Sequence, residues 1–481
     1  MNYRLFARIT GQVMCVLAAA MLPSLAAGLY FGETNAAAAL AISIAAILAA
    51  FVPLALVKPK SKNMYPRDGF VIVSFIWLLF SVFSTLPFLI SGEIPSFVDA
   101  FFEMCSGYST TGATIISDVE KISKSLLLFR SFTQWLGGMG ILIFVVAILP
   151  LSGTRTINLM RAEIAGPTAD KLVPLIKHST RISYIIYFAL TLIMFIALLL
   201  TGMPAFDSLT NAFATAGTGG FSVVRHGIAA YGDPAAEWII IIFMILFGIN
   251  FNLYFLMLRK KFKEVGKNTE LRFFLLIIVV STVLIYLDTM KNYPSVSEGI
   301  RTALFQAAAF ASTTSFATVD FNLWPSFSKT ILLLLMFIGG CAGSTACGLK
   351  VSRVILMVKA AKEQLRKMVH PKRVFNIKLD GNVVEREVIS LIGSYIIIFL
   401  IIFAASFLVI SIDGFTFEEN FSAVASCINN IGPGFGRIGP YGSFAGFSPL
   451  SKIALSLDML MGRLEIFPII LMFSPSVWKN H

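Results

Sequence analysis

Four short stretches rich in Gly, Ser, Thr and Asn interrupt a chain that is otherwise compatible with lipid. They centre on Gly112 (Thr110-Thr111-Gly112-Ala113-Thr114), Gly217 (Thr215-Ala216-Gly217-Thr218-Gly219), Ser315 (Thr313-Thr314-Ser315-Phe316-Ala317) and Gly432 (Asn430-Ile431-Gly432-Pro433-Gly434). Successive centres lie 105, 98 and 117 residues apart. Irregular backbone at membrane depth is tolerated only where it is buried in protein or lines a watery path. Four such stretches at near-equal spacing predict one pore assembled from four covalently linked repeats, and a chain that conducts an ion.

The rest of the sequence supplies the walls. A spanning helix needs about 20 apolar residues, and runs of that kind occupy 11–31, 36–57, 70–90, 126–149, 182–200, 236–258, 271–289, 328–358, 388–412 and 450–473. With 57% hydrophobic and only 13% charged residues, the fold class is an all-α polytopic membrane protein. The longest polar stretch, 353–387, is too short to bury a core of its own. Arg4 and Arg8 precede an apolar run ending in Leu25-Ala26-Ala27, as in a signal peptide. That run is span-length and a second span follows at once, so it reads as a retained helix.

The net charge of +12 raises a nucleic-acid reading that its placement removes. With the N-terminus inside, 28 of the 38 Lys and Arg fall on the inner side, and the outer segments carry more acid than base. This asymmetry is the positive-inside rule, and it predicts a multi-pass protein with both termini cytoplasmic and no nucleic-acid partner. The five cysteines are scattered and odd in number, so no disulfide framework or zinc spacing follows.

After two leading transmembrane helices in 1–67, one unit recurs: a span, a semi-polar segment, a Gly/Thr-rich loop and another span. The repeats cover 68–180, 181–270, 271–387 and 388–481, each running in the same direction through the bilayer. The semi-polar segments are Phe97–Ser109, Phe206–Ala214, Val296–Ser312 and Phe415–Asn429, each too short or too polar to cross. Asp99, Asp207, Glu298 and Glu418 stand near their starts, where a carboxylate complements the dipole of a short helix. The negative end of each helix then points toward the pore axis and favours a cation.

A ring of backbone carbonyls can replace the hydration shell of potassium, and glycine accepts the backbone angles this requires. Gly112, Gly217 and Gly432 therefore read as filter residues, with Thr110, Thr111, Thr215, Ala216, Thr314, Ser315, Asn430 and Ile431 supplying nearby oxygens. None of the four loops holds a carboxylate, which argues against an acidic ring or a calcium cage.

These loops, with Gln134-Trp135-Leu136-Gly137-Gly138-Met139-Gly140 and Met461-Gly462-Arg463-Leu464-Glu465, carry a resemblance over essentially the whole chain. The sequence resembles the membrane subunit of bacterial Trk potassium uptake systems, in the Trk/Ktr/HKT superfamily. The resemblance implies potassium as the transported ion and no bound organic cofactor. It also implies a homodimer in the bacterial cytoplasmic membrane and a cytosolic nucleotide-binding regulatory subunit of TrkA type. Ser315 departs from the pattern, standing where glycine is commonest.

The second helix of each repeat carries a glycine at comparable depth: Gly138, Gly248, Gly343 and Gly462. In the third, ten small residues run from Gly339 to Gly348. Small residues at this spacing suit tight helix packing. The sharper reading is a broken helix whose loop, through Gly339, Gly340, Gly343, Ser344, Thr345 and Gly348, crosses beneath the filter as a gate. Arg463 stands mid-span near Asp458 and Glu465, and is read either as half of an ion pair or as a cation facing the pore. The resemblance places a gating loop and a pore-facing arginine at these positions. A carrier coupling potassium to sodium or protons remains the alternative. An enzyme is not expected, because no nucleophile–base pair, metal-hydrolase motif or Walker A loop appears.

Overall fold

The computed structural model describes residues 3–59, 66–140, 176–370 and 376–478. The second half of the 126–149 span, the basic connection 153–175, residues 60–65 and 371–375, and Lys479 lie outside them. Among the described residues, helices account for nearly all of the regular structure; the strands are a two-residue antiparallel pairing of Lys378–Leu379 with Asn382–Val383. The protein is an all-α polytopic membrane protein of four parallel helix–pore loop–helix repeats with two additional N-terminal spans.

The N-terminal spans are α1 (Tyr3–Ala20) with α2 (Leu22–Phe31), and α3 (Thr34–Ala55), which packs along α1. The first repeat holds α4 (Pro66–Phe83), α5 (Leu86–Ser91), α6 (Phe97–Tyr108) and α7 (Lys124–Gly138). The second holds α8 (Ile176–Leu200), α9 (Ala205–Ala216), α10 (Pro234–Phe247), α11 (Phe251–Leu258) and α12 (Phe262–Lys267). The third holds α13 (Thr269–Thr289), α14 (Val296–Ala311), α15 (Ser326–Met336) and α16 (Val351–Val369). The fourth holds α17 (Arg386–Ile410), α18 (Phe417–Asn429), α19 (Pro449–Arg463) and α20 (Phe467–Phe473).

The short helices α6, α9, α14 and α18 coincide with the four semi-polar segments, and local chemistry starts them. Ser96 and Ser295 each accept the amide of the residue three positions on, and Thr416 forms a capping box with Glu419. Two of the first-turn carboxylates also find partners in a neighbouring repeat. Asp99 pairs with Lys452 of α19 at 2.5 Å, and Glu418 with Lys329 of α15 at 3.6 Å. Asp207 accepts the Tyr231 hydroxyl at 3.0 Å.

Packing closes the repeats into a circle. α7 lies on α9, α10 on α14, α15 on α18, and α19 on α6, so each outgoing helix rests on the next repeat's short helix. The first and last repeats meet, which makes one central path.

The count of uninterrupted spans differs from the ten read in the sequence. Among the described residues, six helices or helix pairs are long and apolar enough to cross a membrane: Tyr3–Phe31, Thr34–Ala55, Asp68–Ser91, Arg181–Leu200, Thr269–Asn292 and Arg386–Asp413. The remaining four runs are the second helices of the repeats, and the breaks fall at their glycines. α7 ends at Gly138, α10 and α11 meet at 93° across Gly248, α15 stops ahead of Gly339, and α19 ends one residue after Gly462. A hydropathy window sees composition, and these breaks are made by contacts. A Cβ on Gly137 would lie 2.0 Å from the Tyr108 carbonyl, and one on Gly462 would lie 2.1 Å from that of Ile428. α7 and α19 break where they press against the ends of the short helices α6 and α18.

Candidate ion pathway

Each short helix ends in the same two-step turn. The amides of Thr110, Thr218, Thr313 and Asn430 reach back three residues, and those of Thr111, Gly219, Thr314 and Ile431 reach back five. The first residue of each turn takes a left-handed conformation, with φ of 57°, 54°, 56° and 55° for Thr110, Thr218, Thr313 and Asn430. Three of these are β-branched threonines, for which positive φ is strained. Strain of this kind persists only where the surroundings over-determine it. Two residues later φ is positive again: 85° at Gly112, 68° at Gly220, 68° at Ser315 and 104° at Gly432.

This pattern corrects the register of the second repeat. Gly220, not Gly217, is the counterpart of Gly112, Ser315 and Gly432. Thr215 and Ala216 belong to the last turn of α9, and Gly217 caps it with an ordinary right-handed φ of −68°. Gly217 is small for another reason: a Cβ there would lie 2.3 Å from the carbonyl oxygen of Gln134. The usable signal in the sequence was Gly220-Phe221 matching Ser315-Phe316.

The four turns meet. A Cβ on Gly112 would lie 2.1 Å from the Gly219 carbonyl oxygen, one on Gly220 2.0 Å from that of Thr314, and one on Gly432 2.7 Å from that of Thr111. Every such contact runs from one repeat to its neighbour, so the turns form a ring of interleaved backbone. Ser315 is the single side chain in the glycine row, and its hydroxyl points toward the Thr111 carbonyl at 3.5 Å. Asn430 ties the fourth repeat to the first, donating at 2.8 Å to the Thr111 hydroxyl and at 2.8 Å to the Met459 carbonyl. A basin opens on one side of the ring, lined by Gly112, Gly220, Ser315 and Gly432 and by the loops that follow them.

On the other side lies the Gly339–Gly348 run, which is irregular backbone rather than helix. Its ends are drawn together: the Gly339 amide donates to the Leu349 carbonyl at 2.9 Å, and Ile338 bridges Leu349. Gly343 and Gly348 have φ of 74° and 73°. The broken second helix of the preceding repeat receives the loop. Cys341 and Thr345 donate to the Gly248 and Phe247 carbonyls at the end of α10, and Phe251 at the start of α11 donates to the Gly343 carbonyl. The Ser344 hydroxyl closes a local turn onto the Cys341 carbonyl at 2.6 Å, and Gly340 packs beside Ala346. The Cys347 amide donates to the Thr313 hydroxyl at 2.9 Å, which places the loop directly against the ring.

Arg463 completes this layer. Its guanidinium donates to the Thr345 carbonyl at 2.9 Å, to Cys347 Sγ at 2.9 Å, to the Gly138 carbonyl at 2.5 Å and to the Gly137 carbonyl. Thr110 Oγ1 lies 3.4 Å away. The cation therefore caps the negative end of α7 and pins the loop beneath the ring. Neither sequence neighbour pairs with it among the described residues. Asp458 accepts from the Ser406 hydroxyl at 2.8 Å, and Glu465 forms an ion pair with Arg353.

A family profile, "TrkH: Cation transport protein", matches residues 37–480. The chain belongs to the TrkH family. Its relatives include the "Trk system potassium uptake protein TrkH" of Salmonella typhimurium (strain LT2), 34% identical over 493 residues and covering all of both chains. The "Trk system potassium uptake protein TrkG" of Escherichia coli K12 is 33% identical over 430 residues, covering 88% of each. Among solved structures, the "Potassium Transporter TrkH from Vibrio parahaemolyticus" superposes with a TM-score of 0.88 at 31% identity, over the full length of both chains.

Several residues around the TrkH-family ring were not singled out in the sequence. Glu103, fully buried in α6, accepts from Arg130 Nε at 2.6 Å, from the Ile115 amide at 2.9 Å and from the Thr114 hydroxyl at 3.0 Å. Arg130 also reaches the Ser222 carbonyl at 3.1 Å and stacks 3.4 Å above the Phe221 ring, so one ion pair holds the chain leaving two turns. A charge in each of two segments otherwise built for burial was the available signal. Glu270 Oε1 accepts the amides of Ala342 at 2.7 Å and Ser352 at 3.0 Å, tying the irregular run and the start of α16 to the start of α13. Cys347, which carries no spacing signal in the sequence, is a polar contact of Arg463.

Proposed function

We propose that this protein carries potassium into the cell through a gated, channel-like pore with a four-strand carbonyl filter. One observation carries the reading: four equivalent turns interleave around a single path with no carboxylate in the ring among the described residues. Carbonyl and hydroxyl oxygens without fixed negative charge suit a large, weakly hydrated monovalent cation better than a divalent one. The names of the relatives, potassium uptake proteins, agree with this choice. The filter residues are then Thr110, Thr111 and Gly112; Thr218, Gly219 and Gly220; Thr313, Thr314 and Ser315; and Asn430, Ile431 and Gly432.

In the same reading, the basin is the outer mouth and the Gly339–Gly348 loop with Arg463 is a closed gate. The basic stretch 350–387 leaves that loop directly and supplies the handle for a cytosolic nucleotide-binding partner of TrkA type. Two such chains make the homodimer in the cytoplasmic membrane, with both termini inside. Ion flux into liposomes tests the reading, comparing potassium, rubidium and sodium at a clamped potential. Potassium and rubidium flux well above sodium, driven by voltage alone, is expected. Uptake that requires a sodium or proton gradient would replace the channel with a coupled carrier.

A further inference from the structure

The Gln134 motif stands outside the ring, yet Gln134 itself reaches into it. This residue is fully buried on α7 of the first repeat and serves the turn of the second. Its side-chain nitrogen donates to the Gly219 carbonyl at 2.8 Å, and its side-chain oxygen accepts the Phe221 amide at 3.0 Å. One amide group thus bridges the backbone on both sides of Gly220, as a neighbouring strand would. Two glycines make room for it. A Cβ on Gly219 would lie 2.5 Å from the Gln134 amide carbon, and one on Gly217 would lie 2.3 Å from the Gln134 carbonyl oxygen.

The bridge has a directional consequence. In a planar trans peptide the carbonyl points opposite to the amide hydrogen. The Phe221 amide faces Gln134, so the Gly220 carbonyl, in the same peptide unit, faces away from α7. Among the described residues, no other strand of the ring is held on both sides of its positive-φ residue by one side chain. Glycine at position 220 has the widest backbone freedom of any residue, so a restraint there does most to fix the carbonyl direction.

We propose that Gln134 is a positioning residue for ion selection: through its two hydrogen bonds it aims the Gly220 carbonyl into the ion path. The inference rests on the four-strand filter proposed above. In Gln134→Met, similar in length and apolar, both bonds are lost. In Gln134→Glu the acceptor for Phe221 remains while the donor to Gly219 is lost. The potassium-to-sodium permeability ratio is measured in liposomes for both variants beside the unsubstituted protein, with melting temperature recorded for each. A ratio does not depend on how much protein is folded, so partial misfolding leaves it readable. A fall of at least about fivefold is expected for Gln134→Met, the equivalent of about 1 kcal/mol of lost discrimination, with a smaller fall for Gln134→Glu. An unchanged ratio in Gln134→Met, with or without a lower melting temperature, would overturn the positioning role. An unsubstituted protein that does not prefer potassium would instead sink the filter reading itself.

Discussion

Glu270 offers the sharpest test of the gate. Its Oε1 accepts two backbone amides, from Ala342 before the bend of the loop and from Ser352 after it, at 2.7 and 3.0 Å. The residue is 6% exposed, so water competes weakly for those bonds. A hydrogen bond to a charged acceptor contributes about 1.5–3 kcal/mol, and one to a neutral acceptor about 0.5–1.5 kcal/mol. Glu270→Gln keeps the oxygen and removes the charge, so each bond weakens by about 1 kcal/mol and the pair by about 2 kcal/mol. If both bonds belong only to the closed arrangement, the closed-to-open ratio falls roughly 30-fold. The assay is unstimulated potassium flux into liposomes without any cytosolic partner, where a mostly closed pore gives a low baseline. A rise of about 10-fold or more is expected, with the melting temperature lowered only slightly. Unchanged flux from Glu270→Gln protein that remains folded would refute the view that this carboxylate holds the loop shut.

Two further outcomes follow from the same layer and the ring. Arg463 has no carboxylate partner among the described residues, and two positive charges about 8 Å apart repel by about 2 kcal/mol at an effective dielectric of 20. Arg463→Gln should therefore raise potassium flux by up to roughly 30-fold, and a drop in folded yield without any rise would assign the arginine to structure alone. At Ser315, φ of 68° strains a residue that bears a Cβ. Ser315→Gly should relieve about 1 kcal/mol and raise the potassium-to-sodium ratio, and a melting temperature below that of the unsubstituted protein would contradict the strain argument.

Local chemistry made much of this protein readable in advance. Three of the four short helices begin where the sequence places a hydroxyl followed by a carboxylate, because capping and the helix dipole act within one turn; α9 starts after Pro204 with only Asp207 in its first turn. α6 and α14 start at Phe97 and Val296, the residues at which the semi-polar segments begin. The irregular Gly339–Gly348 run was legible for a related reason: consecutive glycines weaken a helix whatever surrounds it. The repeat order and the absence of carboxylates from the four turns were likewise readable from spacing and residue type.

What the sequence could not supply was everything set by approach between distant segments. On paper Gly217 and Gly220 differ only in the Phe221 that follows the second, and the packing of Gln134 from another repeat shows why one glycine makes room while the other bends the ring. Asp458 and Glu465 flank Arg463 in the chain and suggest an ion pair. The helix ends at Arg463, however, and positive φ at Glu465 and Ile466 turns the chain so that Glu465 meets Arg353 instead. The broken second helices belong to the same class. Their apolar composition is that of a span, and the carbonyls freed at the ends of α7 and α10 find their bonds in Arg463 and in the loop of the third repeat. Residue type and spacing therefore determined which segments are apolar enough for lipid, where the semi-polar short helices lie and where the glycine-rich run falls. The closing of four repeats into a circle decided which atoms face one another, because hydrogen bonds and steric contacts across the ring depend on distances that chain order does not carry.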